Sequence, residues 1–175
     1  DSLLTYKLNR NPWGSIYLDL NKSEEELKKG LKSNWRNKMK KGMRLCQISH
    51  IKDKSKIIKI LHEYNDFSKS IKFEPVPIFK CKKWSENFLE NSKSINMKIY
   101  QASNIDDSKE TLGAIGIVNY ADTSFYLFVH TTNLGRKKAA NTYLLWNSIL
   151  DSKKNGYKLF DLGGYNSSTT KGIKE

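Results

Sequence analysis

Three short segments in the last third of the chain carry side chains that could do chemistry. Asp161 stands just before Gly163 and Gly164 at the end of an apolar run. His130 precedes Thr131 and Thr132 at the end of another, and Gly135-Arg136-Lys137-Lys138 lies between the two. A carboxylate beside a glycine pair can orient an ammonium nucleophile or take its proton, and a histidine at a strand end can act as a base. The same positions also suit a loop-capping aspartate and a structural histidine. A basic loop leading into a helix offers unpaired backbone N–H groups and cations to an anion. Metal chemistry has no comparable support: Cys46 and Cys81 stand alone, and His50 and His62 lack partners at ligand spacing. The two thiols read as reduced core groups.

Residues 124–131 and 157–162 read as strands separated by one helix over about 139–153, in which Leu144, Leu145, Trp146 and Ile149 are apolar. A single crossover helix makes such strands parallel and usually neighbours. Ligands in open α/β sheets bind beyond the carboxyl ends of these strands, which is where His130, Asp161 and the basic loop fall. Strands over 97–102 and 112–120 precede them as a meander. Ile57, Ile60, Leu61, Tyr64, Phe67 and Ile71 predict a long helix over 53–71, and Trp84, Phe88 and Leu89 a shorter one beyond Pro75 and Pro77. At the start, residues 15–20 alternate as a half-buried strand. Ser23 and Glu26 then form a capping box that opens a helix ending at Gly42, with a short strand over 44–49 after it. Leu27, Leu31, Trp35 and Met39 recur every fourth residue as its packed stripe, and Lys28, Lys32, Arg36 and Lys40 run beside them as an outward row.

The expected fold is therefore α/β (α+β): a mixed, mostly antiparallel sheet with helices on both faces, splayed between the strands ending at His130 and Asp161. The 175 residues suit one domain, with 1–42 as an N-terminal strand plus basic helix and 43–175 as the core. No apolar run reaches the roughly 20 residues of a membrane span, and the N-terminus lacks a signal-peptide pattern. With the reduced thiols, this predicts a cytoplasmic location. The formal charge is +13, and it is unevenly placed: residues 28–44 hold eight Lys and Arg and no acidic residue. Such a field attracts phosphates of a cofactor, an RNA or a lipid surface.

The run Asn141, Leu144, Leu145, Trp146, then Gly156-Tyr157-Lys158-Leu159-Phe160-Asp161-Leu162-Gly163-Gly164, with Thr170-Lys171-Gly172-Ile173 after it, resembles the closing signature of FemAB-type acyltransferases of the GNAT superfamily. Ile16 to Leu20, Ser23, Glu26, Leu27, Gly30, Leu31 and Trp35-Arg36-Asn37-Lys38 resemble that group's opening strand and basic helix. The resemblance covers nearly the whole chain, with residues 50–95 matching only in helical character. It implies a GNAT-like fold continuing into further C-terminal strands beyond Glu175, and acyl transfer to an amine.

Asp161 and His130, by their position at the strand ends, are the expected catalytic residues. The resemblance places the donor on Arg136, Lys137, Lys138, Ala139, Ala140 and Asn141, the counterpart of the pyrophosphate loop, with Ala139 where the family pattern has its first glycine. Lys32, Arg36, Lys40 and Tyr165 are the expected substrate-binding residues. The donor is acyl-CoA (acetyl-CoA) or aminoacyl-tRNA, no metal is expected, and the acceptor is a small-molecule or cell-wall precursor amine of sugar or peptidoglycan type. Alternatives are an aminoacyl-tRNA-dependent peptidoglycan bridge enzyme, or a non-catalytic module that binds RNA or an anionic membrane surface.

Overall fold

A computed structural model of the chain describes residues 14–72, 83 and 95–165, for Tyr165 the backbone only. The expected helix around Trp84, the segment Thr170 to Ile173 and Cys81 lie outside the described residues. Six strands form one sheet: β1 (Gly14–Asp19), β2 (Cys46–Ile51), β3 (Ile95–Asn104), β4 (Thr111–Tyr120), β5 (Thr123–Thr131) and β6 (Leu159–Tyr165), in the spatial order β1-β6-β5-β4-β3-β2. Every neighbouring pair is antiparallel except β5 and β6. The mixed, mostly antiparallel sheet expected from the sequence is the one observed.

Helices cover both faces, because alternate residues of the central strands are apolar toward each side. On one face lie α1 (Glu24–Gly30), α2 (Ser33–Leu45) and the crossover helix α5 (Ala140–Lys154). They bury Leu27, Met39, Leu144, Trp146 and Ile149 against Ile115, Ile117 and Phe160. On the other, α3 (Lys54–Ser70) buries Ile57, Ile60, Leu61 and Tyr64 against Ile99, Ala114 and Phe128. The Phe128 ring lies over Gly116, where an added Cβ would stand 2.3 Å from it. The short α4 (Asn133–Lys137) links β5 to α5.

The N-terminal helix departs from expectation. The capping box is present, with Ser23 and Glu26 exchanging their hydrogen bonds. The chain then breaks after Gly30: Leu31 and Lys32 are extended (φ −78°, ψ 141° and φ −61°, ψ 150°), so one expected helix is two. Fourfold spacing of Leu27, Leu31, Trp35 and Met39 survives the break because the turn redirects α2 with its apolar stripe still on the core. The basic row does not survive. Lys28 lies on α1, Lys32 is the N-cap of α2, and only Arg36 and Lys40 share a helix. Nor does Gly42 end the helix. It lies inside α2, where a Cβ would stand 2.6 Å from Tyr143 Cβ and 2.8 Å from the Ala139 carbonyl oxygen. Its missing side chain lets α2 cross α5 closely, and the helix runs directly into β2 at Cys46.

Candidate functional site

β5 and β6 pair over three residues only, Thr123 to Leu159, Ser124 to Phe160 and Phe125 to Asp161. Beyond that point β5 continues to Thr131 beside β4, while β6 continues to Tyr165 beside β1. The two parallel strands therefore part and leave a cleft open toward their carboxyl ends. The crossover leaves the end of β5 through α4, so the N-terminus of α5 lies at that same end. This is the splay predicted from the sequence, with one difference: β6 does not finish at Asp161 but four residues later.

Asp161 consequently lies where the strands begin to part. It is 8% exposed, and its Oδ1 accepts hydrogen bonds from Ser15 Oγ (2.5 Å) and from the Gly163 N–H (2.8 Å). Gly163 has φ +89°, a left-handed backbone suited to glycine. The bond to Ser15 ties β6 to β1 beside the irregular register between Ser15 and Tyr17. Among the described residues no group donates to Asp161 Oδ2. His130 lies elsewhere. It is five residues beyond Phe125, the strand partner of Asp161, on the order of 15 Å along the strand. It is 4% exposed, its Nε2 makes no hydrogen bond, and Glu63 Oε2 on α3 is 3.5 Å away. Burial pushes its pKa down to about 4, so the imidazole is neutral. The structure does not bring His130 and Asp161 together.

The expected donor loop is mostly engaged with the protein. Thr132 caps α4 by accepting from the Gly135 N–H (3.0 Å). Gly135 packs so tightly that a Cβ would fall 1.9 Å from the Leu112 carbonyl oxygen. The exposed Arg136 donates to the Thr131 carbonyl (3.5 Å) and to Asn133 Oδ1. Lys138 Nζ donates to Asn104 Oδ1 (2.6 Å) and lies 3.8 Å from Asp106. Lys137 is exposed and has no ion pair or side-chain hydrogen bond among the described residues. Ala139 is the N-cap of α5 in a left-handed conformation, φ 58° and ψ 33°, with no side-chain cap. It thus takes by strain the backbone that a glycine takes freely. Ala140 is fully buried and Asn141 is exposed. Tyr165 pairs with Gly14 through its backbone.

The α2 crossing brings the N-terminal basic segment to this loop. Gly42 meets Ala139 and Tyr143, and Cys46 Sγ lies 3.7 Å from the Lys138 carbonyl oxygen. Two basic segments about a hundred residues apart in the chain become neighbours. Arg36 donates to the Leu31 carbonyl across the helix break, whereas Lys32, Lys38, Lys40, Lys41 and Arg44 are exposed without an ion pair among the described residues. Asn37, Lys40, Met43 and Arg44 line an open depression of about 630 Å³. A smaller one of about 160 Å³ lies between β1, α1 and α5, lined by Tyr17, Leu18, Leu27, Leu31 and Trp146 among others. Ser15 and Glu63 went unnoticed in the sequence, since nothing local marks them. Arg44 had a signal: it follows Lys40 by four residues, provided the helix passes Gly42.

No family model matches the sequence, and no curated protein matches it. Solved structures do match its fold. FemX superposes with a TM-score of 0.76 at 12% identity, over 95% of this chain and 56% of that one. The C-terminal domain (DUF2156) ascribed to a lysylphosphatidylglycerol synthetase of Agrobacterium fabrum gives 0.62 at 13%, over 88% and 47%. L-PGS from Bacillus licheniformis gives 0.57 at 10%, over 91% and 49%. The chain thus spans about half the length of each structure it matches. Together with the parted parallel strands, these superpositions establish that the chain has the fold shared by FemX and the lysylphosphatidylglycerol synthetase domain.

Proposed function

We propose that this chain carries an acyl-transfer site that moves an aminoacyl group from a tRNA ester to the amine of a sugar- or peptidoglycan-type acceptor. The observation that carries the reading is the parting of β5 and β6 at Asp161, open toward the end of the sheet at which α5 begins. Parted strands present backbone N–H groups to a carbonyl entering between them, and such donors stabilise an oxyanion. The amine nitrogen attacks the ester carbonyl, a C–N bond forms, and the C–O bond to the ribose breaks. Asp161 Oδ2, without a donor among the described residues, takes the first proton that the ammonium loses. After attack the nitrogen gives up a second proton to the departing ribose oxygen, which leaves as a hydroxyl.

An RNA ester is favoured over acetyl-CoA by the loop itself. Lys138 is already held by Asn104, Ala139 replaces the usual glycine, and α2 occupies one flank of the first turn of α5. The test is transfer of labelled amino acid from aminoacyl-tRNA, or of labelled acetyl from acetyl-CoA, to an amine acceptor. Transfer from the RNA ester that falls about 100-fold in Asp161→Asn fits the proposal, this being the lower end of a general-base contribution. Transfer from acetyl-CoA alone would replace the donor, and transfer from neither would overturn the reading.

A further inference from the structure

The cationic residues of the turn after β5 and of α2 divide into two kinds. Those at the carboxyl end of β5 are largely spent on the protein, as the bonds of Arg136 and Lys138 show. Those on the outer side of α2 are not. At 100° per residue, Trp35, Met39 and Gly42 mark the side of α2 turned to the core, and Asn37, Lys40 and Arg44 fall on the opposite side with Lys41 next to them. Lys40, Lys41 and Arg44 make no ion pair or side-chain hydrogen bond among the described residues. Three neighbouring like charges without counter-ions among the described residues repel one another, and they lie in a run of 26 residues, 27–52, without an acid. Asn37, Lys40, Met43 and Arg44 line the open depression of about 630 Å³.

We infer that the outer face of α2, centred on Asn37, Lys40 and Arg44, docks the phosphodiester backbone of a structured RNA. This deepens the acyl-transfer proposal, on which it rests for the identity of the RNA as the carrier of the acyl group. Charge complementarity selects a polyanion. Composition selects RNA over a lipid surface. A helix that lies on a membrane presents large apolar groups flanked by its basic ones, but the apolar stripe of α2 is committed to the core. Among the described residues that line the depression, Met43 is the one large apolar side chain, 48% exposed. Arg44 and Lys40 supply point charges and an Arg fork for phosphate oxygens, and Asn37 an amide donor. The exposed Lys137 continues the surface past the Gly42–Ala139 crossing toward the cleft. The body of the RNA would then rest on α2 while its acylated end reaches β5 and β6.

Fluorescence anisotropy with unacylated tRNA at several salt concentrations tests this, using the parent, Lys40→Gln/Arg44→Gln, and Lys54→Gln/Lys56→Gln. The last removes equal charge from the exposed start of α3. The expected result is a roughly tenfold or greater loss of affinity in the α2 variant only. Its salt slope should fall by about 1.4 to 1.8, or 0.7 to 0.9 for each of two phosphate contacts. Equal loss in both variants would mean diffuse attraction by net charge. An unchanged slope in the α2 variant, or no RNA binding by the parent, would overturn the inference. Binding to phosphatidylglycerol vesicles that depends on Lys40 and Arg44, without RNA binding, would assign the face to lipid and also overturn it. Because the RNA is unacylated, this readout is independent of whether transfer occurs, so RNA docking and acyl transfer can fail separately. A thermal midpoint equal to the parent's confirms that the variants fold.

Discussion

The turn after β5 and the C-terminal half of α2 are built from similar residues and touch at Gly42 and Ala139, yet they use those residues in opposite ways. In the turn, Thr132, Arg136 and Lys138 each satisfy another protein group, and Gly135 is pressed against a backbone carbonyl. In α2, Lys38, Lys40, Lys41 and Arg44 satisfy none among the described residues. A basic residue is informative about ligands in proportion to what its neighbours leave undone. The loop expected to hold the donor is largely bonded to the protein itself, whereas the outer face of the basic helix keeps its charges without partners among the described residues.

The sharpest way to break the contrast is to strain the turn. Gly135→Ala places a methyl group 1.9 Å from the Leu112 carbonyl oxygen, where backbone rather than a flexible side chain must yield. Urea denaturation should show a loss of about 3 kcal/mol, the upper range for overpacking. A loss under about 1 kcal/mol would mean that the turn is not rigid scaffold.

Acid should reveal the next largest effect, at the end of the strand that feeds the turn. The folded pKa of His130 is lowered to about 4 from 6.5, so between these values the unfolded chain binds the proton and the folded one resists it. The contribution is intact above pH 6.5 and is lost as the pH falls toward 4, by up to about 3 kcal/mol. Glu63, 3.5 Å away, is the group that would soften this loss by pairing with the imidazolium. Stability measured against pH should lose this part of its slope in His130→Gln; an unaltered slope would show that His130 is not buried as a neutral group.

The crossing itself gives a smaller change. Gly42→Ala gains helix propensity of about 1 kcal/mol but sets a methyl against Tyr143 Cβ and the Ala139 carbonyl. A net loss of about 1 to 2 kcal/mol is expected by denaturation, together with weaker RNA binding if the crossing aligns the two basic segments. Stabilisation instead would mean that the helices are loosely apposed. The smallest effect belongs to α2's outer face, where Lys40→Gln/Arg44→Gln should leave stability within about 0.5 kcal/mol of the parent. A larger loss would show that these charges serve the fold after all.

Much of the architecture was legible because it rests on local or near-local physics. The capping box of Ser23 and Glu26, the helical period from Ile57 to Tyr64, the meander into β5 and the crossover that makes β5 and β6 parallel each follow from residue spacing and chain connectivity. The break after Gly30 was concealed by a fourfold apolar spacing that two helices preserve as well as one does. Gly42 was ambiguous for a related reason. Absence of a side chain serves a helix end and a close helix contact equally, and the difference lies in Tyr143, a hundred residues away.

For the candidate site the division is sharper. Sequence alone placed Asp161, His130 and the donor loop at the carboxyl ends of two parallel strands, since crossover topology follows from connectivity. Tertiary structure decided which of them have work left to do. Asp161 gained Ser15 as a partner across 146 residues and kept one open oxygen, His130 was buried opposite Glu63, and Lys138 was taken by Asn104. The exposed face of α2 emerged only when the direction of that helix was set. Connectivity is written along the chain, whereas the satisfaction of a polar group depends on which distant atom comes within about 3 Å of it, and only packing of the whole sheet and its helices determines that.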